Sequence, residues 1–218
     1  MLTIDLDKLN IVDGSKILDL GCGKGRHIHK LYYYSKCHVI GLDLSLEELK
    51  YTYQGFQQYP DINESSDRKF SLMAGTALQL PFKDNTFDHI ICSEVLEHIY
   101  DYENVINEIF RISKPGASIG VSVPRWLPEK ICWLLSDDYH NEPGGHIRIF
   151  KYSELKKAFL ENGFNSLAIV KTIVSHVDKS SIFLYIRFEI NIISKDLFIF
   201  IGFKFFSVFT IKIFLLIS

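Results

Sequence analysis

The sequence predicts an α/β protein in which helices cover both faces of a doubly wound, mostly parallel sheet. Three observations carry this. From Lys16 onward, short β-branched or apolar runs alternate with amphipathic stretches, the pattern of parallel strands joined by crossover helices. The first strand ends in Asp19 and runs into glycines at alternate positions, Gly21, Gly23 and Gly25. The length, 218 residues at 47% hydrophobic content, suits one such domain with an appendage and is short for two.

The strands expected are 16–20 (KILDL), 38–43 (HVIGLD), 69–73 (KFSLM), 87–92 (FDHIIC) and 117–123 (ASIGVSV), each followed by turn chemistry. Between them the 3.6-residue period predicts helices. The first is 25–34; the second, 46–58, opens on Ser45 with Glu48 three residues on, a capping box. The third, 102–112, sets Val105, Ile106, Ile109 and Ile112 on one face, and the fourth, 153–162, is closed by Gly163. The polar stretch Pro60 to Arg68 reads as a surface loop. Phe164 to Val170 is a candidate sixth strand, and Ile182 to Ile190 a seventh, antiparallel one at an edge. The expected organisation is one domain over 1–175 and an apolar segment over 176–218.

Charge and cysteines narrow the function classes. With 24 Lys+Arg against 26 Asp+Glu the net charge is −2, so no general basic surface exists for a phosphate backbone and no nucleic-acid partner is expected. Cys22, Cys37, Cys92 and Cys132 have no C-x-x-C spacing, which indicates buried reduced thiols rather than a zinc site or disulfide framework. The first ten residues carry acids and no apolar run of the secretory type, so a cytoplasmic location is expected.

The most informative segment is Ile17-Leu18-Asp19-Leu20-Gly21-Cys22-Gly23-Lys24-Gly25-Arg26-His27. Glycines let a ligand lie against the backbone, and a helix starting near Gly25 aims its free N–H groups at whatever is bound. A nicotinamide dinucleotide fingerprint would place its third glycine where Arg26 stands. About eighteen residues past Gly25 the second strand ends in Asp43, a carboxylate able to accept two hydroxyls.

In these residues the chain resembles the class I S-adenosylmethionine-dependent methyltransferases, particularly a small-molecule, quinone-methyltransferase-like subfamily. The resemblance runs from Lys16 to about Lys171 and rests on five motifs in order: ILDLGCGKGR; Gly41-Leu42-Asp43-Leu44-Ser45; Ala74 to Phe82; Asn85 through Glu94-Val95-Leu96-Glu97-His98; and Arg111 to Gly116. It implies a Rossmann-like fold, S-adenosyl-L-methionine as cofactor and a small-molecule methyl acceptor. By position it assigns Asp19, Gly21, Cys22, Gly23 and Gly25 to the cofactor loop, Asp43 and Leu44 to the ribose end, Thr76 and Ala77 to the adenine, and Ser93 to the methionine side. Thr76 departs from the family, which usually carries Asp there to accept from the adenine amino group; a neutral acceptor is weaker.

A second polar constellation runs from Asp137 to Phe150. His140, Glu142 and His146 have ligating chemistry but not the one-helix-face spacing of H-E-x-x-H, and Pro143-Gly144-Gly145 makes the stretch a loop, so no metal site is expected. In an open α/β sheet a loop after the fifth strand borders the ligand crevice. Trp126, Trp133, Tyr139, His140, His146 and Arg148 are therefore the acceptor-side candidates. Methyl transfer from a sulfonium is an in-line displacement, so alignment at about 3–3.5 Å supplies most of the rate. His98 or His146 has the chemistry of a general base for an acidic acceptor. The rival reading is a non-catalytic cofactor-binding or scaffold protein with a degraded acceptor site.

Ile182 to Ile217 holds 9 of the 17 Phe. Within it, residues 197–217 are long enough to span a bilayer, with Lys204 inside the span and Lys212 near its end. Three fates stay open: a membrane anchor, a segment packed on the domain or a partner, and an ending that does not fold with the domain. Oligomeric state is not legible.

Overall fold

The computed structural model describes residues 2–59, 67–124, 130 and 145–164 in full, and the backbone of 168–169, 184–189, 199–205 and 210–215. The main sheet contains β1 (Lys16–Leu20), β2 (His38–Asp43), β3 (Lys69–Ala74), β4 (Phe87–Ser93), β5 (Ser113–Ser122) and the two-residue β6 (Ala168–Ile169). Its order is β3-β2-β1-β4-β5-β6, and every pairing is parallel. Strand β1 pairs with β2 on one side and β4 on the other, which makes the carboxyl ends of β1 and β4 the topological switch point.

Helices α1 (Arg26–Tyr34), α2 (Leu46–Gln57), α3 (Tyr102–Ile112) and α4 (Tyr152–Glu161) close the two faces. Strand alternation sends neighbours to opposite cores. Leu18, Leu20, Ile40 and Ile90 join Val105, Ile106, Ile109 and Ile112 of α3 and Leu155 and Phe159 of α4. Ile17, Val39 and Ile91 pack with Ile28, Leu31 and Tyr32 of α1 and Phe56 of α2. Ser45 caps α2 by accepting the Glu48 N–H at 3.2 Å, and Asp101 caps α3 by accepting from Asn104 at 3.3 Å.

Two expectations need correction, and a third is described only in part. The fifth strand begins at Ser113 rather than 117: Phe87 pairs with Ser113 and His89 with Ser118, so the Lys114-Pro115-Gly116 turn survives as an irregularity inside the strand, with Gly116 at φ +82°. Within the candidate sixth strand Ala168–Ile169 pairs with β5, and 165–167 and 170 lie outside the described residues. The seventh does not join the main sheet. Its residues, β7 (Leu184–Glu189), pair antiparallel with β8 (Ile199–Phe205), which pairs with β9 (Thr210–Leu215), because the apolar segment supplies its own partners. No helix among the described residues is long and apolar enough to cross a membrane.

Residues 2–15 carry neither a helical nor a strand period, so no pattern announces an element there. In the structure a 3₁₀ turn, Leu6–Leu9, buries Ile4, Leu6 and Leu9 in the second core, and the Ser118 hydroxyl donates to the Leu9 carbonyl at 2.7 Å.

Arg111, read from the sequence only as part of a turn, clamps the loop before β4. Its guanidinium donates to Glu108, to Asp84 and to the carbonyls of Leu80 and Phe82, while Glu108 accepts the Leu80 N–H at 2.6 Å. Arg111→Ala strands a mostly buried carboxylate and two carbonyls. The expected loss is about 2 kcal/mol of stability, read as a lowered urea midpoint.

Candidate functional site

The glycine loop is held from three sides. Gly21 lies at φ +70°, and its N–H and that of Cys22 donate to the Leu42 carbonyl at 2.7 and 3.1 Å. A Cβ on Gly21 would overlap the Val95 Cγ2 methyl. Gly23 donates its N–H to Asp43 Oδ2 at 2.8 Å, and the Thr52 hydroxyl donates to the Gly23 carbonyl at 2.6 Å. The His29 Nε2–H donates in turn to the Thr52 carbonyl at 2.8 Å. Gly25, at φ +85°, precedes α1 without a side-chain cap, and a Cβ there would meet the His29 ring. The first N–H groups of α1 therefore have no side-chain cap and are available to a ligand.

Asp19 sits under this loop, 1% exposed. Burial pushes its carboxyl up to about 7, against the opposing pull of the Ile28 N–H, which donates to it, and of the Arg26 charge. Its Oδ2 is buried with no hydrogen-bond partner. A buried carboxylate with an unused oxygen at a helix N-terminus can take one further donor or cation.

Asp43 is already part of the scaffold: besides Gly23, its Oδ1 accepts the Ser45 N–H at 2.9 Å. Each carboxylate oxygen keeps a second lone pair. The neighbouring Leu44 is 78% exposed, an uncovered apolar face beside that carboxylate. Across β3, Thr76 is exposed and its hydroxyl accepts the Leu78 N–H at 3.2 Å, while Ala77 is buried. Cys22 is a buried filler; burial, with the Asp19 and Asp43 charges, pushes its thiol well above the ordinary range and away from nucleophilic use.

Ser93, assigned to the methionine side, places its hydroxyl in a buried chain. It bonds Ser122 Oγ at 2.8 Å and the Thr3 hydroxyl, which also meets His27 Nε2 at 3.0 Å. Burial holds His27 down to about 4, so the ring is neutral. This chain links the N-terminal segment to β4, β5 and α1. Sequence reasoning missed it because Thr3 lies 24 residues from His27 and 90 from Ser93.

The loop after β4 carries the remaining chemistry. Glu94 is held at φ +58°, a conformation a glutamate seldom adopts, and donates its N–H to the Ser122 carbonyl at 2.9 Å. A 3₁₀ turn, Leu96–His98, follows, with Glu97 1% exposed. His98 and His146 meet with ring centroids 4.8 Å apart, and His98 Nδ1–H donates to the Gly145 carbonyl at 3.2 Å. The Ile147 N–H donates to the Glu97 carbonyl at 3.0 Å. The structure thus unites the two candidate bases. The Arg148 guanidinium bonds the Tyr100 carbonyl at 2.7 Å and stacks on Tyr102, 4.4 Å from its centroid. Trp126, Trp133, Tyr139 and His140 lie outside the described residues.

Comparison with known proteins agrees with this geometry. A family model described as "Methyltransferase domain" matches residues 11–176. A sterol 24-C-methyltransferase of Aspergillus fumigatus is 31% identical over 173 residues, covering 73% of this chain and 42% of that protein. A norajmaline N-methyltransferase of Rauvolfia serpentina is 41% identical over 106 residues, 47% of this chain and 34% of that one. The chain thus spans less than half the length of these curated relatives. Among solved structures, a SAM-dependent methyltransferase of Methanosarcina mazei shares the fold with a TM-score of 0.61 at 20% identity, covering 87% of this chain and 89% of that one.

Proposed function

This chain belongs to the methyltransferase domain family, and from that premise we propose that it binds S-adenosylmethionine at the switch point and methylates a small-molecule nucleophile. The observation that carries the reading is Asp19: a buried carboxylate with an unused oxygen, beneath a glycine loop and a helix N-terminus, suits the α-ammonium of an amino-acid-bearing cofactor. Asp43 has a free lone pair on each oxygen for ribose hydroxyls, and the exposed Leu44 offers apolar surface to a base.

S-adenosylmethionine, when bound, supplies a sulfonium methyl to an in-line nucleophile. The chain's contribution is alignment and water exclusion: the ties from Gly21 and Gly23 to β2 fix the donor loop, and the 97–102 and 145–150 segments wall the side next to it. His98 and His146 border that side as candidate bases. The aligned relatives are named for a sterol carbon and an alkaloid nitrogen; neither is a quinone enzyme, so the acceptor class proposed is the broader one of small nucleophilic molecules.

Transfer of tritiated methyl from cofactor to a panel of sterols, amines, phenols and quinones, using the full chain, tests the function. Label in an extracted product supports it. Cofactor binding without transfer to any acceptor favours a non-catalytic binding protein. The adenine end has its own test. Thr76→Asp introduces a charged acceptor in place of a hydroxyl already engaged by Leu78, and should tighten cofactor binding roughly fivefold by calorimetry. Unchanged or weaker binding would place the adenine elsewhere.

A further inference from the structure

We propose that Glu97, His98 and His146 form a site for one divalent first-row cation at the acceptor side of the crevice. One ligand atom from each residue lies within 4.8 Å of the others. A tetrahedral set with bonds of about 2.1 Å holds its ligand atoms about 3.4 Å apart, a closure of little more than an ångström for the exposed His98 and half-buried His146.

Four features point to a ligand rather than a chance meeting of side chains. His98 donates Nδ1–H to the Gly145 carbonyl at 3.2 Å, which fixes the tautomer with its lone pair on Nε2. That backbone contact is the usual outer partner of a ligating imidazole. Glu97 is 1% exposed, so its carboxylate is set in the protein beside two imidazoles, where a divalent charge offsets burial. The contributing segments are stapled together: Ile147 N–H to the Glu97 carbonyl at 3.0 Å, and Arg148 to the Tyr100 carbonyl at 2.7 Å. Finally, Glu94 at φ +58° begins the turn that presents Glu97 and His98.

Two imidazole nitrogens and one carboxylate oxygen suit Zn²⁺, Co²⁺, Mn²⁺ or Fe²⁺ rather than Ca²⁺ or Mg²⁺. Three protein ligands leave a coordination position open, and its natural occupant beside a methyl-donor site is an oxygen of the acceptor. That last assignment rests on the methyltransferase reading; the cation site does not. It departs from the sequence expectation, which groups His146 with His140 and Glu142 and foresees no metal. Long-range folding brings His146 to Glu97 and His98 instead. With an ion bound, both imidazoles use a lone pair in coordination, so neither acts as the general base.

The test uses the full chain stripped by a chelator and titrated with Co²⁺, followed by calorimetry and visible absorption. Expected are one cobalt per chain and a ligand-field band, with affinity weakened tenfold or more in His146→Ala and in Glu97→Gln. Glu97 is buried, so its variant is checked by circular dichroism, and the histidine variants carry the test alone if it unfolds. A wild type that binds cobalt no more tightly than the His98→Ala/His146→Ala double variant overturns the site. The same metal-free sample titrated with S-adenosylmethionine tests the cofactor reading separately: its failure there leaves the cobalt result standing, and its success does not rescue an absent cobalt site.

Discussion

Asp19→Asn is expected to remove measurable S-adenosylmethionine binding and, at the same time, to stabilise the ligand-free protein above pH 7. Burial raises the Asp19 carboxyl to about 7 in the folded chain, against 3.8 when exposed. Between those values the folded state holds a proton that the unfolded chain has released, so stability falls as pH rises through the window. At about 1.4 kcal/mol per unit the full cost above pH 7 is about 4 kcal/mol. Asparagine does not ionise and avoids it, while weakening the bond from Ile28 N–H by about 1 kcal/mol. The variant should therefore be indistinguishable from or slightly weaker than wild type at pH 4, and more stable by about 3 kcal/mol at pH 8 in urea melts. A cationic ligand prefers the ionised form, so wild-type affinity should rise with pH up to about 7 and then level. A variant that is less stable at pH 8 would make Asp19 a structural cap.

Gly21→Ala should be strongly damaging. At φ +70° a Cβ costs roughly 1–2 kcal/mol by itself. Here it also meets Val95 Cγ2, a β-branched side chain packed on the core and unable to swing aside. The combined loss is expected at about 3–4 kcal/mol, with the loop displaced and cofactor binding gone. Gly116→Ala separates the two costs. Gly116 has a similar φ of +82°, but a methyl added there would find nothing within 4 Å, so it should lose only about 1 kcal/mol and keep full binding. Equal losses at the two sites would mean that the Val95 contact carries no weight.

Much of the fold is readable because it depends on local pattern. The strands at 16–20 and 38–43 and the helix at 102–112 match their expected bounds, since each carries an uninterrupted apolar period with a cap or turn beside it. Where the register depends on a partner strand, local pattern falls short: nothing nearby says that 113 pairs with 87 before the turn at 114–116. The C-terminal strands escape for a similar reason, because an antiparallel strand does not declare which sheet it joins.

For the candidate site, Asp19, the glycines and Asp43 are legible from a single loop and one strand end. What stays hidden needs the third dimension. The Thr3, His27, Ser93 and Ser122 chain, the His29 and Thr52 lock on Gly23, and the meeting of Glu97 with His98 and His146 all join residues that no spacing rule connects.

Calorimetric titration of the full chain with S-adenosylmethionine at pH 8 tests the central claim most directly. The account predicts one molecule bound per chain, binding lost in Asp19→Asn and strongly weakened in Asp43→Ala. No saturable binding by the wild type, or equal binding by all three proteins, would contradict it.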